Sequence, residues 1–252
     1  MNGGFRGFIQ NEPVYVEQSP HLLTLSPESA KDHAKRFFRF DDPIDAITGR
    51  WRDDPFLSEA VRRFEGLRLI KQDPWMCTAG FILSSVSNIP KIESTLEKLM
   101  RYSGHRFPSP AQVAEFSEKT LREFGMGFRA KYLRAVAKEI TNGFPLQKLQ
   151  EVAYEDAKAA LIKLPGIGEK VADCILLFGL GHLEAFPVDV WMQRIVDTYY
   201  LKGRKKTPKY VSAWGRNRFG PDAGYAQQYL YTYGRLLLDR QSPFREILAE
   251  KL

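Results

Sequence analysis

The sequence predicts a mainly α-helical fold with a short antiparallel β portion at its N-terminus. Two observations carry this. Strand signals are confined to residues 5–25, where "VYVE" and "HLLTL" alternate or bunch apolar residues on either side of Gln18, Ser19 and Pro20, as in a hairpin. From Pro27 onward helical periods dominate, and several begin at Ser or Asp and end at Gly, the residues that cap and stop helices. The expected division is a β portion over 1–28 and a helical body over 29–252.

Taken in order, the helical segments are "DPFLSEAVRRFEGL" from Asp54, "IPKIESTLEKLMRYSG" from Ile89, "SPAQVAEFSEKTLREFG" from Ser109, "RAKYLRAVAKEITNG" from Arg129 and "YEDAKAALIKLPG" from Tyr154. Connections are short, and no repeat or low-complexity segment intervenes. The last of these helices stops at Pro165, Gly166 and Gly168 bracket Ile167, and a second helix is expected over 169–178. Two helices joined by a Pro-Gly-x-Gly turn form a helix-hairpin-helix. Its glycines let backbone N–H groups approach a phosphate at the helix N-terminus with no side chain in the way.

With 252 residues, 44% of them hydrophobic, the chain can fill a sizeable core. The net charge is +7, and its excess is local: "KGRKK" (202–206) is followed by Lys209, Arg216 and Arg218. Such a cluster suits an anionic polymer, since each cation that meets a phosphate releases a counterion; it equally suits a solvated loop. Cys77 and Cys174 lie far apart and form no C-x-x-C, so the ligands of a structural zinc or an iron-sulfur cluster are missing and both are expected to be reduced thiols. Apolar runs are too short to span a bilayer, and "MNGGFRGFIQNEP" has no signal-peptide core. The expectation is an intracellular protein, cytoplasmic in a prokaryote or nuclear in a eukaryote, with no membrane partner.

Lys170 falls in the first turn of the second hairpin helix, where the helix dipole disfavours a cation and so favours the neutral amine that can act as a nucleophile. A solvent-facing lysine held by Glu169 or by phosphates would sit there equally well. Asp189, after "FPV" and before "VWMQRIVDTYY", has the position of an ordinary N-cap.

Together, at this spacing and behind this hairpin, the two residues resemble the signature of the helix-hairpin-helix DNA glycosylase superfamily, and within it the 8-oxoguanine DNA glycosylases. The similarity extends over "AKRFFRFDDP", "GLRLIKQDPWMCTAGFILSSVSNIPKI", "GMGFRAKYL" and "RNRFGPDAGYAQQYLY". The resemblance implies two helical lobes around a DNA-binding cleft, damaged double-stranded DNA as partner, and a monomer. It implies no cofactor and no catalytic metal, with a structural monovalent cation possible at the hairpin turn. By resemblance Lys170 attacks C1′ of the damaged nucleotide and forms a Schiff base. Asp189 stabilises the oxocarbenium-like charge on the sugar, a fixed counter-charge where positive charge develops. The base must first be flipped into a pocket, which the resemblance lines with Cys174, Gln227 and Tyr231. Gln227 and Tyr231 stand four apart on one predicted helix and can share a face. DNA contacts are assigned in the same way to Gly166, Gly168, Asn88, Lys91, Phe128, Arg129 and Trp191, with Phe128 filling the stack and Arg129 bonding the orphaned base.

Two departures stand out. Relatives carry an asparagine at the inserting position and an arginine that reads the opposing cytosine; here Val86 and Lys91 occupy those places, and neither offers the bidentate fork that reads a base edge. The N-terminus reads as the later part of a longer β domain, and no Gly-Gln-x-Phe stretch precedes Phe5. Three rivals are weaker. An alkylpurine glycosylase would keep the aspartate without the lysine, an endonuclease III type enzyme would bring four cysteines, and a non-catalytic DNA-binding module would need neither Lys170 nor Asp189.

Overall fold

A computed structural model describes residues 4–9, 12–19 and 22–239. Pro20 of the expected turn, residues 1–3 and the chain beyond Asp239 lie outside the described residues. Strands β1 (Phe5–Ile9), β2 (Glu12–Ser19) and β3 (Leu22–Ser26) form an antiparallel sheet in the order β1-β2-β3, with Phe5 opposite Val16 and Ser19 opposite Leu22. The β2–β3 pair is the expected hairpin. β1 is an addition: "FRGFI" has little strand pattern of its own and owes its conformation to pairing with β2.

The helices follow in chain order: α1 (Lys31–Phe37), α2 (Ile44–Gly49), α3 (Pro55–Arg63), α4 (Pro74–Ser84), α5 (Ile89–Tyr102), α6 (Pro110–Glu115), α7 (Glu118–Leu121), α8 (Arg129–Thr141), α9 (Tyr154–Ile162), α10 (Glu169–Cys174), α11 (Val190–Tyr199), α12 (Pro208–Phe219) and α13 (Ala223–Leu238). They belong to two compact units, residues 1–41 with 70–180 and residues 42–69 with 181–252. The expected boundary at residue 28 thus falls inside the first unit. The reason is a small apolar core in which Ile9 and Val14 pack on Ala30 and Ala34, with Leu25, Phe37 and Phe38 against them, tying the sheet to α1.

In the first unit α4 is apolar almost throughout, as a helix buried on all sides must be. Asp73 caps it by accepting from the amides of Trp75 and Met76 at 2.9 Å, and Trp75, Cys77, Ala79, Ile82 and Leu83 are buried. The stretch 109–125 is not the single helix expected. Ser109 and Gln112 close a capping box on α6, Phe116 turns extended at ψ 139°, Ser117 caps α7, and a wide turn follows with Gly125 at φ 95°. The second hairpin helix is α-helical only to Cys174 and continues to Leu180 as a wider π-helical turn.

In the second unit α13 is central, with Ala223, Tyr225, Ala226, Tyr229 and Leu230 fully buried. Close approach depends on two glycines: a Cβ on Gly234 would lie 2.5 Å from the Ile195 side chain, and one on Gly215 2.5 Å from the Phe186 ring. Buried hydroxyls are satisfied, Tyr225 donating to Asp42 at 2.6 Å and Tyr200 to Asp54 at 3.0 Å.

Burial pushes Tyr229 up to about 12 and, with Asp54 beside it, pushes Tyr200 higher still. In the first unit burial and Asp173 push Tyr154 up to about 12. A raised folded-state pKa favours the folded protein fully below the unfolded value of 10.0 and loses that contribution as pH climbs toward 12. Denaturant unfolding at stepped alkaline pH is therefore expected to give flat stability up to about pH 10 and a steep fall above it. A constant midpoint through that window would contradict the burial of these hydroxyls.

Candidate active site

The hairpin turn is built by α9, α8 and α10. Gly166 adopts φ 80°, and a Cβ there would lie 2.5 Å from the Tyr132 ring, so glycine is required by both backbone and packing. Gly168 differs: it is the N-cap of α10, and a Cβ on it would meet nothing within 4 Å. Its side is open, and no side chain caps the first amides of α10. Ile167 is buried and anchors the turn.

Lys170 is half-buried, with its Nζ 5.2 Å from the centre of the Phe81 ring on α4. It makes no ion pair among the described residues, and the neighbouring Glu169 is not its partner. Glu169 instead pairs with Lys158 of α9 at 2.9 Å. Lys158 is 8% exposed and also donates to Asp173 at 3.1 Å and to the Tyr154 hydroxyl at 3.1 Å, while Tyr154 donates to Asp173 at 2.5 Å. Burial works against the Lys158 ammonium, but Asp173 and Glu169 outweigh it and hold its pKa above the ordinary lysine value. This network clamps the two hairpin helices together through Glu169 and Asp173, which flank Lys170 along α10. Nothing in the sequence singled it out, since "YEDAKAALIK" reads as a helix with a solvated lysine. Cys174 is 3% exposed, facing the interior, and neither it nor Cys77 forms a disulfide.

Arg129 has partners within the protein. It is 5% exposed, and its guanidinium donates to the carbonyls of Ser85 at 2.6 Å, Val86 at 2.7 Å and Met126 at 2.9 Å. These contacts hold the loop around Val86. Val86 is 89% exposed at φ 51°, a conformation that β-branched residues rarely adopt. Asn88 caps α5 by accepting from the Lys91 amide at 3.0 Å, so its carbonyl oxygen has a structural duty, and Lys91 is exposed. Phe128 is 45% exposed and stands edge-on to Tyr132, with ring centres 6.2 Å apart. Gly166, Tyr132 and Phe128 thus adjoin one another in the first unit, and the buried Arg129 links Phe128 to Val86. Lys131, over the Tyr132 ring at 4.8 Å, joins them and had no sequence signal beyond its charge.

The second unit gathers the remaining residues. Asp189 caps α11 as expected, Oδ1 accepting from the Met192 amide at 2.7 Å. Two residues earlier, the Pro187 carbonyl accepts from Gln227 Nε2 at 3.2 Å. Gln227 is buried, and its Oε1 has no hydrogen-bond partner. A buried acceptor left unpaired is uncommon, and a ligand donor is one of the few things that can satisfy it. Arg235, one turn after Tyr231 on α13, lies 5.0 Å from the centre of the Trp191 ring and 5.8 Å from that of Tyr231, linking the two aromatic residues; sequence reading missed it. No group of three or more His, Cys, Asp or Glu among the described residues is placed to hold a metal ion.

A family model described as "HhH-GPD superfamily base excision DNA repair protein" matches residues 79–220. The chain belongs to the HhH-GPD superfamily. A second model, "8-oxoguanine DNA glycosylase, N-terminal domain", matches residues 8–77. Among superfamily relatives, a probable N-glycosylase/DNA lyase of Methanothermobacter thermautotrophicus is 33% identical, over 95% of this chain and 90% of its own. The N-glycosylase/DNA lyase OGG1 of Arabidopsis thaliana is 34% identical over 86% of this chain and 65% of its own. The HhH-GPD fold is shared with Clostridium acetobutylicum 8-oxoguanine glycosylase/lyase, solved with double-stranded DNA containing cytosine opposite 8-oxoguanine. The TM-score is 0.86 at 30% identity, covering 94% of this chain and 86% of that one.

Proposed function

We propose that this chain is a bifunctional DNA glycosylase/AP lyase of base excision repair that removes 8-oxoguanine from duplex DNA and then nicks the strand. The observation that carries the reading is Lys170: an amine at the start of α10, behind the open hairpin turn, whose neighbouring carboxylate is engaged by Lys158. Lys170 Nζ attacks C1′, the glycosidic bond breaks, and its electron pair leaves with the base, which takes up a proton. The attacking amine gives up a proton, the C1′–O4′ bond breaks with O4′ taking a proton to open the sugar ring, and the resulting protonated imine at C1′ lets a base remove a C2′ proton so that β-elimination expels the 3′ phosphate. Asp189 is assigned to the same sugar as counter-charge, and Oδ2, which carries no hydrogen bond among the described residues, is the atom free for that role. The open side of Gly168 suits contact of the α10 amides with a DNA phosphate. The Ile167 carbonyl, which accepts no backbone hydrogen bond among the described residues, suits a monovalent cation in the turn. Borohydride trapping on duplexes with 8-oxoguanine, guanine or a preformed abasic site tests the reading. Crosslinks are expected with the first and third and not the second; trapping on the abasic site alone would leave a lyase without its damage reader.

Gln227 is assigned to the Watson-Crick edge of the flipped base, its unpaired Oε1 accepting from that edge. Gln227→Leu is expected to slow 8-oxoguanine excision by about 10²-fold, the cost of losing a buried base contact worth about 1–3 kcal/mol. Strand cleavage at a preformed abasic site should be unchanged. Equal loss in both assays would mean that Gln227 acts only through the fold.

Preference for the opposite base is expected to be weak. Val86 offers the vacated space an apolar side chain and Lys91 a point charge. Excision rates opposite C, A, G and T are expected to agree within about tenfold, since no bidentate reader separates the bases. Strong dependence on cytosine would require a reader elsewhere.

A further inference from the structure

Among the described residues Val86 is the most exposed large apolar side chain, and its φ of 51° crowds a β-branched Cβ against the backbone. Neither feature serves the fold. An apolar side chain gains nothing from standing in water, and a strained backbone persists only where its surroundings over-determine it. Arg129 supplies that determination. Its Nε donates to the Ser85 carbonyl at 2.6 Å and its Nη2 to the Val86 carbonyl at 2.7 Å, so one edge of the guanidinium grips the carbonyls on either side of the Val86 Cα. The planar fork fixes both peptides at once.

The brace is itself anchored. Arg129 opens α8, and Ala130 and Leu133 after it are fully buried. Its third donor, Nη1, holds the Met126 carbonyl at 2.9 Å, just before Gly127 at φ 57°, and its Cζ lies 4.9 Å from the centre of the Phe128 ring. On the other side of the loop Asn88, two residues after Val86, caps α5. The turn at Val86 is therefore held from both sides by the protein's own groups.

We infer that Arg129 is a positioning residue for base extrusion: it braces Val86 in the left-handed turn, so that an apolar wedge already stands formed when duplex DNA arrives. The inference rests on the glycosylase reading, which supplies the space that a flipped nucleotide vacates. A valine in that space moves its apolar surface from water onto the faces of the neighbouring bases. The loop takes its final conformation as the protein folds, so the entropy of ordering it does not weigh on binding. In this role Arg129 acts through Val86 and touches no base.

The test is a double-mutant cycle of Arg129→Met and Val86→Gly. It is read as single-turnover excision of 8-oxoguanine and as the fluorescence of 2-aminopurine beside the lesion, which brightens when the stack opens. Each single variant is expected to excise about tenfold more slowly with a weaker fluorescence rise, and the double variant to lose no more than the slower single, because a missing brace and a missing wedge are the same defect. Losses that multiply to about a hundredfold in the double variant would overturn the inference. The Arg129→Met loss should also be equal opposite C, A, G and T. A loss confined to cytosine would give Arg129 a direct contact with the orphaned base and overturn the inference as well. Val86→Gly separates the wedge from the fold, since glycine adopts φ 51° without strain. Its thermal midpoint should stay level or rise while excision slows; excision as fast as the wild type would leave no wedge to brace. If Arg129→Met does not fold, Arg129→Lys takes its place in the cycle, since an ammonium lacks the fork that grips two carbonyls. A wild type without excision would remove the glycosylase reading and this inference together, whereas multiplying losses in an active enzyme remove this inference alone.

Discussion

Replacement of Lys170 by glutamine is expected to eliminate borohydride-trapped complexes and to lower strand cleavage by at least about 10³-fold, the scale on which a nucleophile's removal is felt. Affinity for lesion DNA should persist, because the amide keeps a polar side chain only one atom shorter in the seat against Phe81. Base release measured without strand cleavage is the informative companion assay: a residue acting only through the fold would lose binding and both reactions together. Trapping that survived in Lys170→Gln would transfer the nucleophile to another amine. Lys158 is the nearest alternative on the paired helix, but its ammonium is engaged by Glu169, Asp173 and Tyr154.

The largest effect on stability is expected at Lys158. Lys158→Met leaves Asp173, 1% exposed, without its cation, and breaking a buried pair from one side costs about 3–5 kcal/mol. The thermal midpoint should fall accordingly, and the double variant Lys158→Met with Asp173→Leu should recover much of it, since a buried pair replaced on both sides by apolar groups is often neutral. The same substitution frees Glu169 beside Lys170. Trapping by Lys158→Met is therefore expected to be slower even at temperatures where the protein remains folded, and Lys158→Arg should restore the rate. A Lys158→Met protein as stable as the wild type would show that the clamp between α9 and α10 contributes nothing.

How much of this was legible in the sequence depended on the range of the interaction. Local signals succeeded: Asp54, Ser109 and Asp189 cap helices where their side chains predicted starts, and Gln227 and Tyr231 share α13 at the expected spacing. The break at Phe116 was also local, because Ser117 followed by Thr120 is a cap, but the continuous apolar period across it concealed the interruption. Arg129 could not be read, since two of its three carbonyl acceptors lie 43 and 44 residues away in sequence and carry no side-chain signature. The same holds for Lys158, whose charge suggests solvent until α10 folds back and brings Asp173 against it. At Gly166 the sequence showed a glycine in a turn, but not the Tyr132 ring that packs where a Cβ would stand.

The burial of both cysteines has a consequence for the circumstances in which such a protein works. 8-Oxoguanine accumulates when oxidants do, and the thiolate is the form of cysteine that peroxide attacks. Burial pushes the Cys77 thiol well above its ordinary value, reinforced by Cys174 and Asp73, and only 1% of Cys77 and 3% of Cys174 is exposed. Peroxide can therefore reach them only through openings of the first unit. A repair enzyme built in this way keeps its sulfur chemistry out of the stress that creates its substrate, and the rate at which a thiol reagent labels it becomes a clock for those openings.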